Sequence, residues 1–132
     1  MEAPLGNPRE QTAALLIAHG SRRPEANADL VQLANALLAR GSYPIVEVAF
    51  LEIAEPTIPQ GARKCTDRGA TRVLMLPYFL SAGNHVVEDL ERHRRELAEE
   101  SPAIEFRLCP PLGLHPLLVD VVLARLEETG TG

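Results

Sequence analysis

Apolar and polar positions along the chain switch repeatedly between two spacings, short unbroken runs and longer stretches of helical period. Residues 13–18 read Ala-Ala-Leu-Leu-Ile-Ala and stop at His19-Gly20-Ser21-Arg22-Arg23. An apolar run of that length, closed by a glycine turn, predicts a strand buried on both faces, as in a parallel sheet covered by helices. Pro24 suits a first helical position, and Leu30, Leu33, Ala34, Leu37 and Leu38 then recur with the period of an amphipathic helix that Gly41 ends. Residues 45–51 form a second strand, interrupted by Glu47 and ending at Glu52. Pro56 starts a second helix with Ile58, Ala62 and Cys65 inward, closed by Gly69. Residues 72–79 predict a third strand, apolar on both faces as far as Pro77, followed by the loop Leu80-Ser81-Ala82-Gly83-Asn84-His85. A third helix carries Val86, Leu90 and Leu97 on one side, and residues 104–108 alternate as a half-exposed edge strand. Gly113 to Pro116 lead into a last helix with Leu118, Val121, Val122 and Leu126 along one face.

Four strand–helix units without an internal repeat or a linker predict one domain over residues 1–132, with 1–11 and 129–132 flexible. The first and third strands are apolar throughout and belong at the centre; the second and fourth carry charge and belong at the edges. Right-handed crossovers then give a four-stranded parallel sheet of order 2-1-3-4 in a three-layer α/β/α architecture. Its topological switch point lies between strands one and three, so His19 and His85 converge on the crevice where open α/β sheets bind ligands.

Composition narrows the function classes. A length of 132 residues allows one core, and 45% hydrophobic with 23% charged residues excludes disorder. A net charge of −5 excludes a general nucleic-acid or anionic-membrane binder. No apolar run approaches the ~20 residues of a membrane span, and the start has no apolar core of a signal peptide, so a cytoplasmic location is expected. Cys65 and Cys109 are too few and too far apart for a metal knuckle or disulfide framework and read as buried thiols.

His19, His85 and His115, with Glu52, lie in loops at one end of the expected sheet. For any one of them a capping or solvated role is as good a reading. Together, His19, His85 and Glu52 suit a divalent transition metal with open positions, imidazoles as ligands and a carboxylate as ligand or proton acceptor. His93 falls on the apolar side of its helix and reads as structural; His115 before Pro116 reads as a cap. Arg22 and Arg23 stand before a helix start, where free N–H groups and positive charge favour an anion. Neither serine sits in a nucleophile elbow, Ala18 stands where a histidine phosphatase needs Arg, and no P-loop sequence surrounds the single lysine, Lys64.

The His19-Gly20-Ser21-Arg22 start, Ala49-Phe50-Leu51-Glu52, and Leu76-Pro77-Tyr78-Phe79-Leu80-Ser81-Ala82-Gly83-Asn84-His85 followed by Asp89-Leu90 resemble the sirohydrochlorin chelatase family. This is the small, single-lobe cobaltochelatase or ferrochelatase branch of the class II chelatases, with a chelatase-like, flavodoxin-like fold. The resemblance implies ATP-independent insertion of a divalent metal (cobalt, iron or nickel) into sirohydrochlorin, on the way to cobalamin or sirohaem. The metal is then a substrate, and no permanently bound cofactor is expected. By position, His19 and His85 match the metal-binding histidines, and Glu52 the acidic residue that assists metal delivery or proton removal. Leu51, Tyr78, Phe79 and Leu80 are placed to wall a flat macrocycle, and Ser21, Arg22, Arg23, Gly83 and Asn84 to contact the substrate around it. Short members resemble a half-enzyme that pairs with itself, which implies a homodimer, with Ile104, Phe106, Leu108, Pro110 and Pro111 as candidate interface residues. A non-enzymatic tetrapyrrole or metal carrier would use the same pocket; a plain flavodoxin-like scaffold would bind no metal.

Overall fold

The structure, a computed structural model, describes residues 11–130. Its elements are β1 (Thr12–Ala18), α1 (Pro24–Ala39), β2 (Ile45–Phe50), α2 (Ile58–Asp67), β3 (Arg72–Pro77), α3 (Asn84–Glu100), β4 (Glu105–Leu108) and α4 (Pro116–Gly130). The strands form one parallel sheet in the order β2-β1-β3-β4, as the charge pattern of the strands predicts. In register, Ala13 faces Ile45 on one side and Val73 on the other, and Val73 faces Phe106. All four strands therefore deliver their carboxyl ends to one rim.

The two sheet faces are covered unequally. Leu15, Ile17, Val73, Met75 and Phe106 pack against Ile58, Ala62 and Cys65 of α2 and Leu90 and Leu97 of α3. The other face holds a smaller cluster in which Ala14, Leu16, Val46 and Phe50 meet Leu30 and Ala34 of α1. Only those two residues of the α1 stripe are buried, and Leu33 and Leu38 stay exposed, because the helix covers β1 and β2 alone. β3 shows the consequence. Val73, Met75 and Pro77 are buried while Leu74 and Leu76 are half-buried, so the expectation of a strand closed on both faces fails on the α1 side.

Several boundaries differ from the sequence expectation, and Asn84 and His85, expected in the loop after the third strand, open α3 instead. α2 begins at Ile58 rather than at Pro56, because Thr57 caps it: its hydroxyl accepts from Gln60 N–H at 3.3 Å and Gln60 Oε1 accepts from Thr57 N–H at 2.8 Å. β3 ends at Pro77, where the ladder loses a donor, and not at Phe79. Thr129 and Gly130, expected to fray, continue α4; residues 1–10, 131 and 132 lie outside the described residues.

The largest departure is α4. None of its residues is buried, and Leu117, Val119, Val121, Val122, Leu123 and Leu126 are all exposed. It packs substantially on no other described element, so Leu118, Val121, Val122 and Leu126 line a face that nothing among the described residues buries. Among the described residues no helix is long and apolar enough to cross a membrane. Cys65 is buried and its thiol is pushed up to about 12, chiefly by burial and further by the charge of Glu47; Cys109 is only half-buried, and both are free.

Candidate active site

The rim of the sheet becomes a cleft because β1 and β2 stop together and their loops are tied backbone to backbone. Leu51 N–H donates to Ala18 O at 2.9 Å, and Glu52 N–H to His19 O at 3.0 Å. Gly20, at φ +100°, passes so close that a Cβ there would stand 1.9 Å from the Glu52 carbonyl oxygen. Only glycine permits this approach. Ala54 N–H then closes a tight turn on Glu52 O at 2.8 Å, and Ile53 inside the turn is held at φ 72°. A β-branched residue in that region is strained, and such strain concentrates at functional sites. Above this base the exposed His19 ring stacks on the buried ring of Phe79, centroids 4.3 Å apart at 29°. Phe79 follows β3, so one side chain ties the loops after β1 and β3 together.

α3 forms the opposite wall. Its N-cap is Gly83, and His85 lies exposed in its first turn. Leu90 and Leu97 anchor the helix to the sheet. Positions 88 and 89 lie three and four residues beyond 85, 92 lies four and three beyond them, and 95 three beyond 92, so all share one helix face. His19, Leu51 and Glu52 from the strand ends and His85, Val86, Glu88, Asp89, Arg92 and Arg95 from α3 line one open cleft of about 760 Å³. That volume suits a drug-sized organic ligand or larger. Arg92 is engaged by Asp89, in a very short contact, and by Glu96 at 3.3 Å.

Of the site residues expected from the sequence, His19, Glu52, His85 and Leu51 meet in this cleft, with Phe79 supporting His19. Ser21, Arg22, Arg23, Tyr78, Leu80, Gly83 and Asn84 lie outside its lining. Ser21 organises the entry to α1 instead: its N–H donates to Asn27 Oδ1 at 2.9 Å and its hydroxyl accepts from Arg23 N–H at 3.0 Å. His115 caps α4 as expected, accepting from Leu117 N–H at Nδ1, 3.1 Å. His93 is half-buried, with Nδ1 unpartnered. Sequence reasoning missed Glu88, Asp89, Arg92 and Arg95, although their spacing from His85 was readable once the helix was assigned. Among the described residues no three His, Cys, Asp or Glu side chains stand close enough to hold a metal ion by themselves.

Fold and site together define a single α/β lobe with an open cleft at the strand ends, furnished with two imidazoles, carboxylates and guanidinium groups. Comparison with known proteins gives the lobe its lineage. Residues 13–129 match the CbiX family, and the chain belongs to it. It is 38% identical over 114 residues to a chloroplastic sirohydrochlorin ferrochelatase of Arabidopsis thaliana, covering 86% of this chain and 51% of that protein. It is 35% identical over 124 residues to a sirohydrochlorin cobaltochelatase of Priestia megaterium, covering 94% of this chain and 40% of that one. The fold superposes with a TM-score of 0.82, at 29% identity, on the sirohydrochlorin chelatase SirB of Bacillus subtilis subspecies spizizenii in complex with cobalt, over 90% of this chain and 51% of that chain. The chain thus spans about half the length of the curated relatives it matches.

Proposed function

We propose that this chain inserts a divalent metal, cobalt or iron and in principle nickel, into sirohydrochlorin without ATP, in cobalamin or sirohaem biosynthesis. The observation that carries the reading is the meeting of His19 and Glu52, from the loops after β1 and β2, with His85, from the first turn of α3, in one cleft wide enough for a macrocycle. Metallation replaces two pyrrole N–H protons by one M²⁺, so a catalyst must strip water from the ion, present it to the ring and take up two protons. Neutral imidazoles at His19 and His85 suit the first two tasks, because they bind borderline metals and leave the other coordination positions to ring nitrogens. Glu52, whose backbone is fixed against His19, is the proton acceptor beside them. The metal is a substrate here. Leu51 offers apolar surface to the ring.

A homodimer belongs to the same reading. A helix that is apolar nearly all round requires cover, and α4 finds none among the described residues. Two-fold pairing lets each copy cover the other, and matching relatives about twice this length agree with two lobes working together. The interface expected on Ile104, Phe106 and Leu108 is set aside, since Phe106 is buried in the core and the other two pack against it. The pair is expected to work in the cytoplasm.

The test is to follow the absorbance change of sirohydrochlorin with purified protein and Co²⁺, Fe²⁺ or Ni²⁺ in turn. Acceleration of at least one insertion well above the protein-free rate is expected. Tight tetrapyrrole binding with no acceleration would favour the carrier reading. Light scattering should give twice the chain mass, and Val122→Asp with Leu126→Asp should halve it; an unchanged mass would remove α4 from the interface.

A further inference from the structure

The cleft-facing side of α3 is polarised along its axis. Nearest His85 stand the acids Glu88 and Asp89; further along stand Arg92 and Arg95. At a rise of about 1.5 Å per residue, Arg92 lies roughly 10 Å and Arg95 roughly 15 Å from His85 along the helix. Negative charge thus surrounds the end where a cation is handled, and positive charge the end away from it. The two arginines are not equivalent. Arg92 is already held between Asp89 and Glu96, whereas Arg95 forms no salt bridge among the described residues and meets Glu91 only through longer-range attraction. The one other arginine of α3 does not compete for this role: Arg94 is paired with Glu91, whose two carboxylate oxygens lie 2.8 and 2.9 Å from Nε, and does not line the cleft.

From the pairing of an uncommitted guanidinium at Arg95 with a neighbour fixed by two carboxylates, in the same cleft as His19 and His85, we propose that Arg95 binds a peripheral carboxylate of the tetrapyrrole. This rests on the metallation reading. A guanidinium presents its planar fork of donors to a carboxylate in a way no ammonium does. Arg92, held by Asp89 and Glu96, has its charge neutralised and is not free to clamp a ligand. The tetrapyrrole is thereby oriented with its ring centre toward His19 and His85 and a carboxylate edge along α3. Arg22 and Arg23, which do not line the cleft, have no part in this.

The test is fluorescence titration of metal-free sirohydrochlorin into wild type, Arg95→Gln, Arg95→Glu and Arg95→Lys, repeated with the fully esterified macrocycle and across ionic strength. Because the contact is solvent-exposed, its effect is modest. Arg95→Gln should raise Kd about threefold and Arg95→Glu about tenfold. Salt dependence should flatten in both, and Arg95→Lys should recover part of the loss. In metallation, KM should rise while kcat stays put, since binding is uniform between ground and transition states. The esterified ring should not distinguish the variants. Equal Kd in wild type and Arg95→Glu, or an equal loss with the esterified ring, would overturn the assignment while leaving the metallation reading intact. A wild-type protein that binds no sirohydrochlorin overturns both.

Discussion

The two walls of the cleft are built by opposite means. The strand-end wall is set by backbone: His19 and Glu52 sit on loops joined by main-chain hydrogen bonds, with Gly20 pressed against a carbonyl and Ile53 held at positive φ. The α3 wall is set by side chains on a solvent-facing helix stripe, where Gly83 at the N-cap has open space around it and His85 is exposed. In the proposed reaction, rigid backbone on one side would fix where the metal is handled, and adjustable charged side chains on the other would accommodate the macrocycle. Disturbing corresponding residues on the two walls should therefore give unlike results.

The largest effect is expected at the histidines, where the walls should agree in activity and differ in stability. His19→Ala and His85→Ala should each lower metallation by about 10³-fold or more, some 4 kcal/mol of barrier. Losing the stack on Phe79, His19→Ala should also cost about 1 kcal/mol of folding stability. His85→Ala, at an exposed position, should cost no more than about 0.5 kcal/mol. Initial rates and urea unfolding measure both. Near-normal turnover in either variant would remove that histidine from the site.

Next come the glycines. Gly20→Ala combines a left-handed φ with a Cβ 1.9 Å from a backbone oxygen, so the loops after β1 and β2 must separate. A loss of about 3 kcal/mol is expected, together with impaired metallation because Glu52 moves. Gly83→Ala meets no atom within 4 Å and should cost under about 1 kcal/mol, mostly as a poorer N-cap. Equal losses at the two positions would erase the contrast between the walls.

How the sequence foretold the walls follows the same division. Strand order, and with it the arrival of His19, Glu52 and His85 at one rim, was readable because apolar runs and charges decide which strands lie inside. The helix stripe is harder to see because the apolar period of α3 draws attention to its packed side, where Leu90 and Leu97 are buried, while Val86 reaches the cleft itself. Arg22 and Arg23 stand out by adjacency but precede α1 and lie outside the cleft lining, whereas Arg92 and Arg95 are three residues apart on α3 and share a face. α4 shows a different limit. Its apolar positions were visible, but periodicity states that a face needs cover and not which chain supplies it.

A smaller effect is expected at Glu52. Glu52→Gln keeps the backbone contact with His19 and removes the proposed proton acceptor, so kcat should fall about tenfold with metal affinity little changed. Rates set against metal titrations separate the two. A variant that loses metal affinity in step with rate would make Glu52 a ligand instead.

The smallest effect tests whether the strand-end wall is held under strain. Ile53 lies at φ 72° in the turn that Ala54 N–H closes on the Glu52 carbonyl, and it is 62% exposed, so burial contributes little to keeping it there. A β-branched side chain at positive φ costs on the order of 1–3 kcal/mol. Glycine relieves that cost but raises the entropy of the unfolded chain by about 0.4–1 kcal/mol. Ile53→Gly should therefore stabilise the fold by about 1 kcal/mol in urea unfolding. If the strained turn serves to hold Glu52 against the cleft, the same variant should turn over more slowly despite being more stable, because the freed turn samples other arrangements. A variant destabilised by more than about 0.5 kcal/mol would show that the turn is relaxed with isoleucine in place. The wall would then owe its rigidity to Gly20 and the His19–Glu52 hydrogen bond alone.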